Sequence, residues 1–333
     1  MVRGTHASRC LTAVVALAVI AVALLTASTS ARAASPGVAG VALSPDGKLL
    51  AGAYGDGSVH VWELATGQVA GPVLREGPSP KTGTNGVAFS PDSQLLAAAY
   101  RDGTVRLWNP VTGQLVATFR AGQDSQGGAG VVAFSPDGKL LAAGYADGAV
   151  RLWTLATGQP TGPLLTPGPG RQASLAALAF SSDSKLLAAA YSTGTIQRWD
   201  LPGGRPAGQV LRAGTSPQSG ATAVAFSPDG QLLAGTYGNG AVRVWDSATG
   251  QPNGQLVQVR SSSADRLTAV AFGPSGKLAG GYADGTIRLW TMPGTKSGGL
   301  TTGTWFMLGA CAVALIVAAW AVIIVRRELK LRN

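Results

Sequence analysis

The chain has only two cysteines and two histidines in 333 residues. Cys10 and Cys311 stand near opposite ends, so residues 34–303 contain no thiol and cannot rest on disulfides in any compartment. Metal ligation needs clustered His, Cys or carboxylate groups, and this long middle offers His60 and dispersed aspartates. Charged residues are also sparse, at 13%. The net charge of +10 is concentrated at the termini: Arg3, Arg9 and Arg32 precede the middle, and Arg326, Arg327, Lys330 and Arg332 follow it beside Glu328. Residues 34–303 hold 19 basic and 15 acidic side chains, a balance that argues against a nucleic-acid-binding face. No stretch there has the length or 3.6-residue period of an amphipathic helix. Glycine, by contrast, is abundant, with 47 residues.

One phrase recurs six times. "VAFSPDGKLLAAGYADGAVRLW" closes at Trp153, and its tryptophan reappears at Trp62, Trp108, Trp199, Trp245 and Trp290, at intervals of 46, 45, 46, 46 and 45 residues. A fixed period of this size marks one supersecondary unit copied in tandem, each copy unable to bury its apolar face alone. In the third copy, residues 130–134 read as a first strand and Ser135-Pro136-Asp137-Gly138 as a tight turn. Residues 140–145 form a second strand, Asp147-Gly148 a hairpin, and residues 150–153 a third strand. Residues 161–165 are a weaker fourth strand before a loop at 167–170. Short strands with evenly spaced glycine turns predict an all-β closed or radial array.

The strand-ending Trp, the Asp-Gly hairpin (Asp56, Asp102, Asp147, Asp284) and the "FSPDG" turn resemble the WD-repeat β-propeller family over roughly residues 38–303. Trp199-Asp200 and Trp245-Asp246 keep the family's name-giving dipeptide. The resemblance implies a six-bladed propeller of four-stranded blades, a protein or peptide partner, no catalysis and no cofactor. Two departures stand out. The Gly-His pair of the family is absent, and tyrosine replaces the small hydroxyl residue before every hairpin: Tyr54, Tyr100, Tyr145, Tyr191, Tyr237 and Tyr282. The family's His–Ser/Thr–Asp–Trp network cannot form as such, and the tyrosine hydroxyls are expected to pair with the hairpin Asp or the Trp N–H. Thr193 and Asn239 replace the Asp in copies four and five, so those blades are expected to be the least tightly tied.

Both ends carry membrane signals. Arg3 and Arg9 precede the apolar residues 11–25, and Ala31-Arg32-Ala33 is a small-residue cleavage site, so 1–33 reads as a secretory signal peptide. An uncleaved signal anchor is the alternative. Residues 305–325 are 21 residues without a charge and span about 31 Å as a helix, enough for the hydrocarbon core. The reading is therefore a propeller at 34–303, a transmembrane helix at 304–325 and a cytoplasmic tail at 326–333 behind Arg326-Arg327. The propeller is then extracytoplasmic on a single-pass anchor in the cell membrane. Leu300-Thr301-Thr302-Gly303 lacks the proline of a cell-wall sorting motif.

Catalytic patterns fail on order and context. Ser182-Asp183-Ser184-Lys185 and Lys81-Thr82-Gly83 match pieces of a penicillin-binding signature in reverse order and without its third element. His60 shares its strand position with Arg106, Arg151, Gln197, Arg243 and Arg288, which reads as outward and solvated. An arginine recurs after the fourth strand, at Arg75, Arg120, Arg212 and Arg260, and forms a candidate contact for a partner or for anionic lipid. Its plain alternative is a charge that deters edge pairing. The functional reading is a membrane-anchored interaction scaffold. A small-molecule or glycan sensor, or a cofactor-dependent propeller enzyme, is the competing class. The ring is expected to close by packing blade 6 on blade 1, with residues 296–302 as blade 6's own fourth strand.

N-terminal sequencing of the mature chain should return Ala34 as the first residue. A start before residue 25 would establish the signal anchor instead.

Overall fold

The computed structural model describes residues 37–75, 83–120, 127–167, 173–212, 220–254, 257–258, 267–272, 277–282 and 287–291. Every regular element among them is a strand. Blade 1 holds β1 (Val38–Leu43), β2 (Leu49–Tyr54) and β3 (Val59–Glu63); blade 2 holds β4 (Thr84–Phe89), β5 (Leu96–Tyr100), β6 (Thr104–Trp108) and β7 (Leu115–Arg120). Blade 3 holds β8 (Ala129–Phe134), β9 (Leu140–Tyr145) and β10 (Val150–Thr154). Blade 4 holds β11 (Leu175–Phe180), β12 (Leu186–Tyr191), β13 (Thr195–Asp200), β14 (Arg205–Pro206) and β15 (Leu211–Arg212). Blade 5 holds β16 (Ala221–Phe226), β17 (Leu232–Tyr237), β18 (Ala241–Asp246) and β19 (Val257–Gln258), and blade 6 holds β20 (Leu267–Phe272), β21 (Lys277–Tyr282) and β22 (Ile287–Thr291). Each blade is its own antiparallel sheet with strands in chain order. The predicted leader, membrane span, tail and fourth strand of blade 6 lie outside the described residues, as do Arg260 and Asp284. Among the described residues no helix is long and apolar enough to cross a membrane.

Strand alternation explains the array. In β6, Val105 and Leu107 pack toward blade 3 with Ala97, Ala99 and Phe119, against Val132, Leu141, Tyr145 and Trp153. Trp108 points the other way and joins Tyr100, Leu96 and Phe89 against Ala51, Ala53, Val59, Val61 and Leu74 of blade 1. Each blade thus offers an aromatic front to the small aliphatic back of the blade before it. Alanine-rich second strands are needed because both faces are covered and bulk would hold the sheets apart. Trp153, Trp199 and Trp245 are almost wholly buried. First strands of consecutive blades pack together in order from β1 through β20. The described residues show no comparable packing of β20 on β1. Accordingly Trp62 is only half-buried, and Leu289 is 66% exposed where its equivalents Leu107 and Leu152 are buried. Blade 1 takes its outermost pairing from its own residues, at Val59↔Leu74 and Trp62↔Val69, so no strand is exchanged there.

The blades are not uniformly four-stranded, contrary to the sequence expectation. Among the described residues only blade 2 has a fourth strand longer than two residues, paired from Thr104↔Arg120 to Trp108↔Leu115 with a bulge at Val116. The strand expected at 161–165 in blade 3 is reduced to Val150↔Leu165 and Trp153↔Pro160. Blades 4 and 5 touch their third strands at two short places. The cause is a glycine between the two contacts, with Gly162, Gly208 and Gly254 at φ 69°, 78° and 78°. A left-handed residue in a strand turns the chain out of the ladder.

Polar ties distinguish junctions that are otherwise alike. Ser93 and Ser184 hold left-handed backbone, φ 62° and 61°, at the turn position where other copies have glycine. Each reaches back to the preceding blade: Ser93 Oγ accepts from the Asp46 amide at 3.2 Å, and Ser184 Oγ from the Asp137 amide at 3.1 Å. Between blades 2 and 3, Asn85 Nδ2 donates to the Ala129 carbonyl at 2.9 Å. Between blades 4 and 5 the tie is a buried cation. Arg198 stands where other copies have an aliphatic residue, is fully buried, and donates through Nη1 to the Ser247 and Ala248 carbonyls. Gly208 and Gly250 leave the space its guanidinium fills.

Serine in the left-handed region costs about 1 kcal/mol, and one hydrogen bond contributes about as much. Ser93→Gly loses the bond and the strain together and should be near neutral. Ser93→Ala loses only the bond and should be less stable than Ser93→Gly by about 1 kcal/mol in urea unfolding. Equal stability of the two variants would contradict this assignment.

Candidate partner-binding face

One end of the array carries the Ser-x-Asp turns. In blades 1 to 5 a buried serine, Ser44, Ser90, Ser135, Ser181 or Ser227, donates to the aspartate two residues on at 2.5–2.6 Å. The same oxygen accepts from the amide at the start of the second strand or, in blade 2, just before it, at 2.8–2.9 Å. This clasp closes the turn from inside and is the recurrent polar anchor of the repeat. In the sequence it read only as turn chemistry; the signal was the invariance of serine across five copies.

The opposite end carries the Asp-Gly hairpins. Asp56 Oδ1 accepts from the Ser58 amide and hydroxyl at 2.9 and 2.7 Å, and Asp102 Oδ1 from those of Thr104 at 2.9 and 2.6 Å. Asp147 accepts from the Ala149 amide at 2.9 Å. Asn239 makes the same bond to Ala241 at 3.1 Å, and Thr193 meets Thr195 hydroxyl to hydroxyl at 2.9 Å. These aspartates hold hairpins.

The expected pairing of the tyrosine hydroxyls is corrected. Among the described residues no tyrosine hydroxyl makes a hydrogen bond of regular geometry to the hairpin Asp or to Trp; Tyr191 donates instead to the Gly148 carbonyl of the preceding blade at 3.2 Å. The Tyr100 hydroxyl lies near Arg106, Trp108 and Thr84 without regular hydrogen-bond geometry to any of them. The strand position of His60 and Arg106 is corrected in part: Arg106 and Gln197 are buried there against the preceding blade, whereas Arg288 is exposed and His60 half-buried. Arg106 is buried, pairs with Asp102 at 3.0 Å and lies 4.1 Å over the Tyr100 ring; Gln197 is buried too. His60 is half-buried, stacked 5.8 Å from Trp62 and edge-on to Tyr54 at 5.0 Å.

Three of the four predicted arginines come to the hairpin end. Arg75 follows Leu74, which exchanges both backbone bonds with Val59; Arg120 lies opposite Thr104, and Arg212 opposite Thr195. All three are exposed. They are interleaved with carboxylates, since Asp102 is within electrostatic reach of both Arg106 and Arg120. The face has mixed charge. Among the described residues no three His, Cys, Asp or Glu side chains gather as a metal site.

A family model for the WD domain, G-beta repeat, matches residues 27–63, 74–109, 113–154, 163–200, 208–246 and 254–291. The chain therefore belongs to the WD-repeat family, and its six repeats and separate antiparallel sheets fit a β-propeller. The first match overlaps the end of the segment read as a leader. Comparison with curated proteins finds no match. Repeats of this family typically build non-enzymatic interaction scaffolds that bind protein partners.

The titrating groups predict a stability plateau. Burial works to raise the carboxyls of Asp46, Asp137 and Asp183, but the serine hydroxyl, the following lysine amide and its ammonium together hold them below the usual range. Their contribution is present above about pH 4 and is lost as pH falls through the folded values. Burial pushes the tyrosines up, Tyr54 to about 12 and Tyr145, Tyr191 and Tyr237 further. Their contribution is complete below about pH 10 and is lost as pH rises from there through the folded values. Burial, aided by Arg75 and opposed by Asp56, lowers His60, which adds a shallow loss below about pH 6.5. Urea midpoints should be flat from about pH 7 to 9 and fall on both sides. His60→Gln should remove the shallow step alone.

Proposed function

We propose that this chain is an extracytoplasmic WD-repeat scaffold, anchored by the apolar segment at 305–325 and presenting the hairpin end to a protein partner. The observation that carries the partner reading is the division of labour within the repeat. Trp, Tyr and the hairpin Asp are committed to packing and turns, while Arg75, Arg120 and Arg212 stay exposed at one end. Interleaved carboxylates favour a protein surface of mixed charge over a uniformly anionic lipid surface. The anchor reading is supported by the basic and apolar start of the chain and by Arg326-Arg327 behind the uncharged run.

The cysteine-free propeller makes the topology testable. A single cysteine at the exposed Lys139 (Lys139→Cys) should react with a membrane-impermeant maleimide on intact cells, whereas Asn333→Cys should react only after permeabilisation. Labelling of position 333 alone on intact cells would reverse the orientation, and labelling of neither would place the propeller in the cytoplasm.

A further inference from the structure

Blade 2 differs from its sisters at the outer rim. Blades 1, 3, 4 and 5 break their outermost segment with Gly71-Pro72, Pro160 and Gly162-Pro163, Pro206 and Gly208, or Pro252 and Gly254. Blade 2 has one residue fewer, Gln114 to Arg120 against Gln68 to Arg75, and contains neither glycine nor proline in that stretch. The result is β7, six residues long and outermost in its sheet. Proteins normally block such an edge with proline, a bulge or a central charge; β7 has a bulge at Val116, near its start, and Arg120 at its end, which leaves Ala117 to Arg120 in regular register.

The pairing defines what the edge offers. In blade 1 the equivalent pair Val59 and Leu74 exchanges both backbone bonds, at 3.0 and 2.9 Å. The same pairing holds Phe119 to Val105 and Ala117 to Leu107 in blade 2. Phe119 and Ala117 therefore bond inward, and Thr118 and Arg120, in the alternate pairs Arg106↔Thr118 and Thr104↔Arg120, turn their N–H and C=O groups outward. The surrounding side chains are apolar. Val116 is 54% exposed and Leu115 38%, with Val111 at 53% beside them. A Cβ on Gly71 would run into the Val111 carbonyl and one on Gly113 into Pro72, so the blade 1 rim abuts this patch and brings Val69 and Val73, also exposed, alongside it. Five of the seven large apolar side chains exposed among the described residues thus lie on this one stretch of rim.

We propose that β7 is a strand-addition site that takes an extended protein segment with alternating apolar residues and a carboxylate opposite Arg120. Main-chain bonds to Thr118 and Arg120 supply the docking, the rim valines take alternate side chains, and the Arg120 guanidinium sets the register. A second copy fits less well. Two β7 strands paired antiparallel bring no carboxylate to either Arg120, and both propellers carry net positive charge. This rests on the interaction-module reading and names one of its contact sites.

The test uses the full chain in detergent, panned against a phage-displayed random-peptide library, with selected peptides then made synthetically and titrated. Selected peptides should alternate apolar residues and carry an Asp or Glu near one end. Thr118→Pro removes an outward N–H without touching the inward ladder and should weaken their binding about tenfold. If that variant does not melt cooperatively, Thr118→Lys, which sets a charge on the edge, takes its place. Arg120→Glu should weaken the same peptides and bind their Lys-substituted versions instead. Equal binding by Thr118→Pro, Thr118→Lys and the unaltered chain overturns the edge site while leaving the interaction-module reading intact. Selection of no peptide also overturns it. A concentration-dependent dimer that Thr118→Pro converts to monomer overturns the peptide occupant and assigns the edge to a second copy.

Discussion

The fold depends on the contact between an aromatic front and a small aliphatic back. No blade can bury either face by itself: Val105 and Leu107 need blade 3, and Trp108 needs blade 1. Each buried aromatic of this size contributes roughly 1.5–3 kcal/mol through area removed from water. Repeating that contact replaces the single central core of an ordinary domain with a chain of nearest-neighbour cores. The half-buried Trp62 and the exposed Leu289 show the same rule where no neighbouring blade among the described residues packs against them.

Polar chemistry is arranged around this packing. The Ser-x-Asp clasp closes one end of every blade from 1 to 5, and Asx-type hairpins close the other. Together they take over the tying role of the family's histidine network, which this chain lacks. The substitution of tyrosine before the hairpin then becomes intelligible: Tyr100, Tyr145, Tyr191 and Tyr237 are buried chiefly as packing surface, and Tyr191 alone finds a carbonyl. With its turns and interfaces committed to holding shape, the propeller is left with its rim and its arginine-bearing end as free chemistry.

Much of this was legible in the sequence because the repeat multiplies weak signals. The second and third strands of the third copy lie where alternation and the Asp147-Gly148 hairpin put them. The fourth strands were harder, since Gly162 and Gly208 act through backbone conformation that a pattern of apolar residues does not encode. The position of Arg106 and Gln197 was misjudged for a different reason. Alternation separates two faces, but whether a face meets water depends on a neighbour some 45 residues away. Three of the four arginines gather at one end as their register implied, while the carboxylates interleaved with them depend on hairpin geometry. The isolation of β7 was written in a single missing residue, visible only when the copies are laid against one another.

Near-identical tandem units face a problem of identity during folding, because a blade front can dock on the wrong blade back with almost the right fit. The polar ties answer it. Ser93 seeks the Asp46 amide, Asn85 the Ala129 carbonyl, Ser184 the Asp137 amide and Arg198 the Ser247 carbonyl, so the first and third of these junctions share one tie while no junction repeats the tie of the one beside it. They work as addresses. A blade docked out of turn would strand a left-handed serine without its bond, or bury a guanidinium against aliphatic side chains. The correct order of assembly is thus favoured by what each wrong order would leave unsatisfied.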